Sequence, residues 1–145
     1  MDNTDLPATL GGAILTEPIW LQAWVMLLVI AQLGAVLFVV GRDNSNWIVR
    51  KECLAIISGF IVAAIIMDWM YVQYGYVRLL GLAHLVAWTG PFIWVFLRRK
   101  LIGTESMYGK YILFYLAISG ISLLIDTIDV IRYMAGDGEL FGRWG

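Results

Sequence analysis

The chain has 145 residues, of which 61% are hydrophobic and only 14% are charged. A soluble domain carries about 25% charged residues because it needs a polar surface, so this composition excludes an ordinary soluble domain. The formal net charge of -1 gives no general affinity for nucleic acid. The length suffices for one domain, and the only cysteine, Cys53, allows neither an internal disulfide nor a thiolate zinc site.

The first apolar run extends from Trp20 to Val40 and predicts a membrane-spanning helix. As a helix this run is about 31 Å long, which matches the hydrocarbon thickness of a bilayer. Glu17 and Pro18, just before it, are typical of a first helical turn. No Lys or Arg precedes Arg42, so the basic region of a secretory signal is missing and we expect the helix to be retained.

Three further apolar runs also predict spanning helices, and each is much longer than the ~10 residues of a membrane β-strand. They cover residues 53–74, 79–97 and 111–133. Gly90 and Pro91 predict a kink in the third helix. The sequence therefore predicts an all-α integral membrane protein, an antiparallel bundle of four transmembrane helices, as a single domain over residues 1–145 with a short tail at 135–145.

Residues 75–78 form a short linker that predicts a tight antiparallel hairpin of the second and third helices. Aromatic residues near this linker are expected to lie in a belt at the membrane interface. They are Trp69, Tyr71, Tyr74 and Tyr76.

The distribution of Lys and Arg predicts the orientation of the bundle, because basic loops stay in the cytoplasm. One side has seven basic residues: Arg42, Arg50, Lys51, Arg98, Arg99, Lys100 and Lys110. The opposite side has three: Arg78, Arg132 and Arg143. Both termini are therefore expected outside the cytoplasm. Small size and compact loops favour a bacterial inner (plasma) membrane.

Ionisable residues from three helices are predicted at one depth, in the outer third of the membrane. They are Asp68, Arg78, His84, Asp126, Asp129 and Arg132. On the fourth helix, polar residues fall within an arc of about 80°. This stripe comprises Tyr115, Ser119, Ser122, Asp126, Asp129 and Tyr133. Since lipid does not favour such a stripe, we expect it to face protein or water.

The third helix places His84 on one face with Gly81, Trp88 and Pro91. A glycine permits close approach of another helix, and a histidine can act as a donor or an acceptor of protons.

The polar cluster has three interpretations. It could be structural, with Asp129 pairing with Arg132 at i, i+3 and Asp68 pairing with Arg78 across the hairpin. It could line a hydrated vestibule of a proton or ion path, with Asp126 as the deepest acid. It could also form a metal or substrate site from the two aspartates of the fourth helix and the histidine.

Among functions, the sequence favours an oligomeric ion or proton channel or translocator, because four helices do not enclose a wide pore alone. A non-catalytic subunit or scaffold of a larger membrane complex is the first alternative, supported by minimal loops and by the lack of catalytic motifs. A small membrane enzyme or pigment or quinone binder that uses His84 is the second. The sequence identifies no cofactor and assigns no catalytic or metal-binding residue. The expected partners are lipid, further copies of the chain or other membrane subunits.

The orientation can be tested with reporter fusions. A reporter after Gly145 should report a periplasmic or lumenal position, and one inserted at Gly103 a cytoplasmic position, because the basic loops are retained inside. Alkaline phosphatase and green fluorescent protein give opposite signals on the two sides. The reverse pattern would show that the basic residues do not set the orientation.

Overall fold

The structure, a computed structural model, describes residues 7–137. These residues form six α-helices: α1 (Leu10–Leu15), α2 (Ile19–Leu33), α3 (Ala35–Phe38), α4 (Lys51–Tyr74), α5 (Gly81–Ile102) and α6 (Met107–Met134). Strands β1 (Val40–Asp43) and β2 (Asn46–Val49) form a hairpin, and a 3-10 turn (Arg78–Leu80) leads into α5. Four helical segments are long and apolar enough to cross a membrane: Ile19–Phe38, Lys51–Tyr74, Arg78–Ile102 and Met107–Met134. The structure thus supports the predicted helical membrane class.

The helical segments differ from the predicted runs at their ends. Helix α5 continues to Ile102 and α6 begins at Met107, because helices can extend beyond the apolar layer where their ends are capped. The Ser106 side chain caps α6 by accepting a hydrogen bond from the backbone N–H of Gly109 at 3.0 Å. The first segment is interrupted at Gly34, and Val40 belongs to a strand instead of the first helix.

The hairpin of β1 and β2 was not predicted. Its strands pair from Val40 with Val49 to Asp43 with Asn46, and the turn residues Asn44 and Ser45 have positive φ angles of 42° and 74°. Two consecutive positive φ angles are typical of the tight turns that join antiparallel strands. We call this side of the bundle the hairpin end and the opposite side, where α4 turns into α5, the α1 end.

Helix α1 was also not predicted, and it covers part of the α1 end. Ala13 is fully buried there against Tyr71 and Tyr76. The hydroxyl of Tyr71 donates a 2.6 Å hydrogen bond to the backbone oxygen of Pro7. The predicted aromatic belt is therefore wrong for these two tyrosines, which are buried, whereas Trp69 and Tyr74 are exposed.

The core of the bundle lies along α5, which packs against α4 on one side and α6 on the other. Helix α5 continues through Pro91. Because proline has no backbone N–H, the carbonyl oxygen of Ala87 does not receive its usual helical hydrogen bond there. Gly59 of α4 lies against this part of α5. At the hairpin end an ion pair between Glu52 and Arg98 joins the first turn of α4 to the last turns of α5.

The contact at Gly59 can be tested with a matched pair of substitutions. A Cβ atom on Gly59 would lie 3.0 Å from the backbone oxygen of Ala87 and 3.2 Å from Cγ of Pro91, whereas one on Gly90 would have nothing within 4 Å. Gly59→Ala should therefore reduce stability by about 1–3 kcal/mol relative to Gly90→Ala. Gly90→Ala should be at least as stable as the wild type, because alanine favours a helix by about 1 kcal/mol over glycine.

Unfolding can be followed with a thiol-reactive dye, because Cys53 is the only cysteine and is buried. Equal melting temperatures for the two variants would show that α4 and α5 do not approach closely at Gly59.

Candidate functional site

The polar stripe of α6 faces the interior of its own chain. Ser119 and Ser122 are 0% and 3% exposed, and Tyr115 is buried beside them. The amide of Gln32, on α2, donates a 2.9 Å hydrogen bond to Oγ of Ser119. These serines therefore do not lie on a surface where identical chains could meet.

Asp126 lies on the next turn of α6 and is bonded to two side chains. Its Oδ2 lies 2.9 Å from Nδ1 of His84 and accepts a 3.2 Å hydrogen bond from the hydroxyl of Ser122. An ionised carboxylate only accepts hydrogen bonds, so Nδ1 carries the proton in this pair. In the neutral imidazole, Nε2 is then an acceptor. The side chains of the pair are mostly buried, at 15% and 14% exposure.

The contact between Asp126 and α5 depends on Gly81. A Cβ atom there would lie 2.9 Å from Oδ1 of Asp126 and 3.2 Å from its Cα. Any larger residue would separate α5 from α6 and disturb the hydrogen bond to His84. The close approach that Gly81 permits is thus the one between α5 and α6.

Trp88 completes this part of α5. Its indole ring stacks on the imidazole of His84, with ring centroids 4.1 Å apart and an interplanar angle of 20°. Trp88 is only 3% exposed, and its Nε1 has no hydrogen-bond partner within residues 7–137. A buried donor without a partner destabilises a protein by about 1–3 kcal/mol, so this N–H lowers the stability of the bundle.

The charged residues pair differently from the structural interpretation of the sequence. Arg78 contacts Asp129 at 2.7 Å and Asp137 at 3.0 Å, and Asp137 also contacts Arg132 at 2.9 Å. Asp129 therefore pairs with Arg78 of the 3-10 turn before α5 instead of with Arg132 on its own helix. Asp68 is exposed and makes no ion pair or hydrogen bond with any residue of the described part of the chain.

A cavity of about 530 Å³ lies beside these groups, between α2, α4, α5 and α6, with α1 at its edge. Five of the eight predicted site residues line it: Asp68, Arg78, His84, Asp126 and Asp129. The other three do not: Ser119 and Ser122 lie deeper along α6, and the Arg132 side chain is largely exposed. The structure thus brings five of the eight residues to one cavity.

Three polar residues near this site were not predicted as part of it. Gln32 and Trp88 are described above. Glu17 is 5% exposed, and its Oε1 has no partner within the described residues. Burial, followed by the charge of Glu17 and by Tyr71, raises the pKa of Tyr76 to about 12, so its phenol stays neutral at working pH. A carboxylate just before an apolar run was the available signal for Glu17.

Within residues 7–137, no three His, Cys, Asp or Glu side chains gather as a metal site would require. Comparison with protein-family models, curated proteins and solved structures gives no match for this chain. The function is therefore argued from the geometry of the site.

Single cysteines test whether the serine stripe is internal. Cysteine at Ser119 or Ser122 should resist maleimides and form no crosslink between chains in the membrane, because both positions are buried against the chain itself. Thr104→Cys, at an exposed position between α5 and α6, is the control for reactivity. Crosslinked dimers through Ser119→Cys would contradict the packing of α6 and would show that the stripe lies between two copies of the chain.

Proposed function

We propose that this chain translocates protons or other cations across a membrane and that Asp126 is its working carboxylate. The observation that supports this is the hydrogen bond between Asp126 and His84 at the wall of a cavity inside a bundle of apolar helices. Ionisable residues within transmembrane segments mark ion and proton paths by default. Histidine is the side chain whose unperturbed pKa lies nearest to neutrality, so the pair is suited to exchange protons.

The stripe of α6 supports a route from this pair toward the hairpin end. Ser122 contacts Asp126, and one turn further Ser119 is bonded to Gln32. Tyr115 follows after another turn. Hydroxyl groups both donate and accept hydrogen bonds, which is what proton transfer along side chains and water needs. In an otherwise apolar bundle, these groups define one polar line within a single chain.

The route does not need a wide pore for protons, because protons pass between hydrogen-bonded groups. Passage of a larger ion needs an enclosed pore, for which we propose a homo-oligomer, since four helices do not enclose one. We further propose a bacterial inner membrane as the location, with the hairpin end in the cytoplasm. The hairpin end has seven basic residues and the opposite end has three, which supports this orientation.

Proton flux into proteoliposomes tests the role of Asp126. With an entrapped pH-sensitive dye and a potassium diffusion potential, the wild type should acidify the lumen. Asp126→Asn should abolish this flux because the amide cannot take up a proton. It should reduce stability by only about 1 kcal/mol, since its oxygen still accepts a hydrogen bond from His84. Asp43→Asn, which removes the same charge from the exposed hairpin, should leave flux unchanged.

Two results would overturn the proposal: no flux in the wild type, or equal flux in wild type and Asp126→Asn. A wild type without flux, together with strong destabilisation by Asp126→Asn, would assign the carboxylate to a structural network. Breaking a buried charged pair typically destabilises a protein by about 3–5 kcal/mol, which the thiol-dye assay resolves.

A further inference from the structure

The cavity at the α1 end is shaped for a molecule with an apolar body. Its volume of about 530 Å³ lies within the range of about 300–1,000 Å³ that is typical of small-molecule sites. Its walls are mostly aliphatic and aromatic side chains of α1, α2 and α4. They include Ile14, Val25, Leu28, Phe60, Ala63 and Met67.

The charges that line the cavity favour a cation. The charge of Arg78 is offset by Asp129, and the adjoining Asp137 and Arg132 offset each other. Asp68 and Asp126 remain, while the lining contains no lysine. These two carboxylates outnumber the one imidazole of the lining, so the cavity is net negative whether or not His84 carries a second proton. Field lines focus in a cleft with low-dielectric walls, so an anion is repelled and a cation is attracted.

The hydrogen-bonding groups of the cavity indicate the chemistry of the polar end of the ligand. Asp68 has no partner within the described residues, and Nε2 of a neutral His84 is an acceptor, so both are suited to a ligand that donates N–H bonds. A protonated amine offers such donors to both groups.

Aromatic rings in the same lining strengthen this preference. Phe60 and Trp88 both line the cavity. A cation within about 6 Å of an aromatic ring is stabilised by about 0.5–2 kcal/mol, more where water is excluded. Neutral or anionic ligands gain nothing from this interaction.

From these observations we propose that the cavity binds an amphipathic organic cation, namely a protonated amine that bears an apolar body. This inference names a cargo class for the proposed translocator and rests on that function for the role of cargo. Binding itself is independent of flux. A neutral quinone would leave both carboxylates without a counter-charge, and an anionic lipid headgroup would meet the excess negative charge.

Three probes with the same aromatic ring test the charge preference. Propranolol is a naphthyl ether with a hydroxyl and a secondary ammonium group, naphthyloxypropanediol is its neutral counterpart, and naphthyloxyacetic acid is its anionic counterpart. Each is dialysed to equilibrium at neutral pH against the full chain in nanodiscs of zwitterionic lipid, with empty nanodiscs to subtract partition into lipid. Only propranolol should show saturable binding to the protein.

Substitutions then locate the bound cation. Asp68→Asn should lower the affinity for propranolol about tenfold, because a charge-assisted hydrogen bond contributes about 1.5–3 kcal/mol. Asp43→Asn, outside the cavity, should change nothing. Dye protection of Cys53 checks that each variant is folded.

Equal binding of the diol, preferred binding of the acid, or unchanged affinity in Asp68→Asn would each overturn the inference. The two proposals can fail separately. Saturable propranolol binding without proton flux would contradict only the proposed translocation, and proton flux without such binding would contradict only the proposed ligand.

Discussion

The hydrogen bond between Asp126 and His84 is the constraint on which the rest of the site depends. A carboxylate inside an apolar bundle must be hydrogen-bonded, because an isolated buried charge is very unfavourable. The bond requires α5 and α6 to approach closely, which the missing Cβ of Gly81 permits. Once the two helices are held there, Trp88 stacks on the imidazole, and both residues line the cavity.

The four spanning helices could be predicted from the sequence because lipid imposes a simple rule. Every backbone group in a bilayer must be hydrogen-bonded internally, so a long apolar run can only be a helix. That rule does not apply outside the apolar layer, and there the prediction missed α1 and the hairpin. Both are short, and α1 is stabilised by tertiary contacts such as those of Ala13 with distant tyrosines. Val40 was assigned to the first helix because hydropathy cannot distinguish an apolar strand residue from a helical one.

The site was predicted to the extent that depth along a helix determines it. Counting residues along each span placed the ionisable groups at one level, and the period of α6 placed its stripe on the inner face. Pairing also depends on how each helix is rotated against its neighbours, which hydropathy does not encode. For this reason Arg78 pairs with Asp129 instead of Asp68. The unpartnered N–H of Trp88 and the bond of Gln32 to Ser119 likewise become visible only in three dimensions.

The two ends of the bundle differ in a way that bears on the proposed transport. At the hairpin end the core is closed by packed side chains that include Val95, Ile112 and Tyr115. Toward the α1 end a cavity lies between α2, α4, α5 and α6. A ligand or proton that reaches Asp126 from the cavity therefore meets the buried contact of Gln32 with Ser119 before it meets the closed core. Since Gln32 lies beside the interruption at Gly34, a shift of α2 relative to α3 is the motion that would break this contact with the least disturbance of α5 and α6.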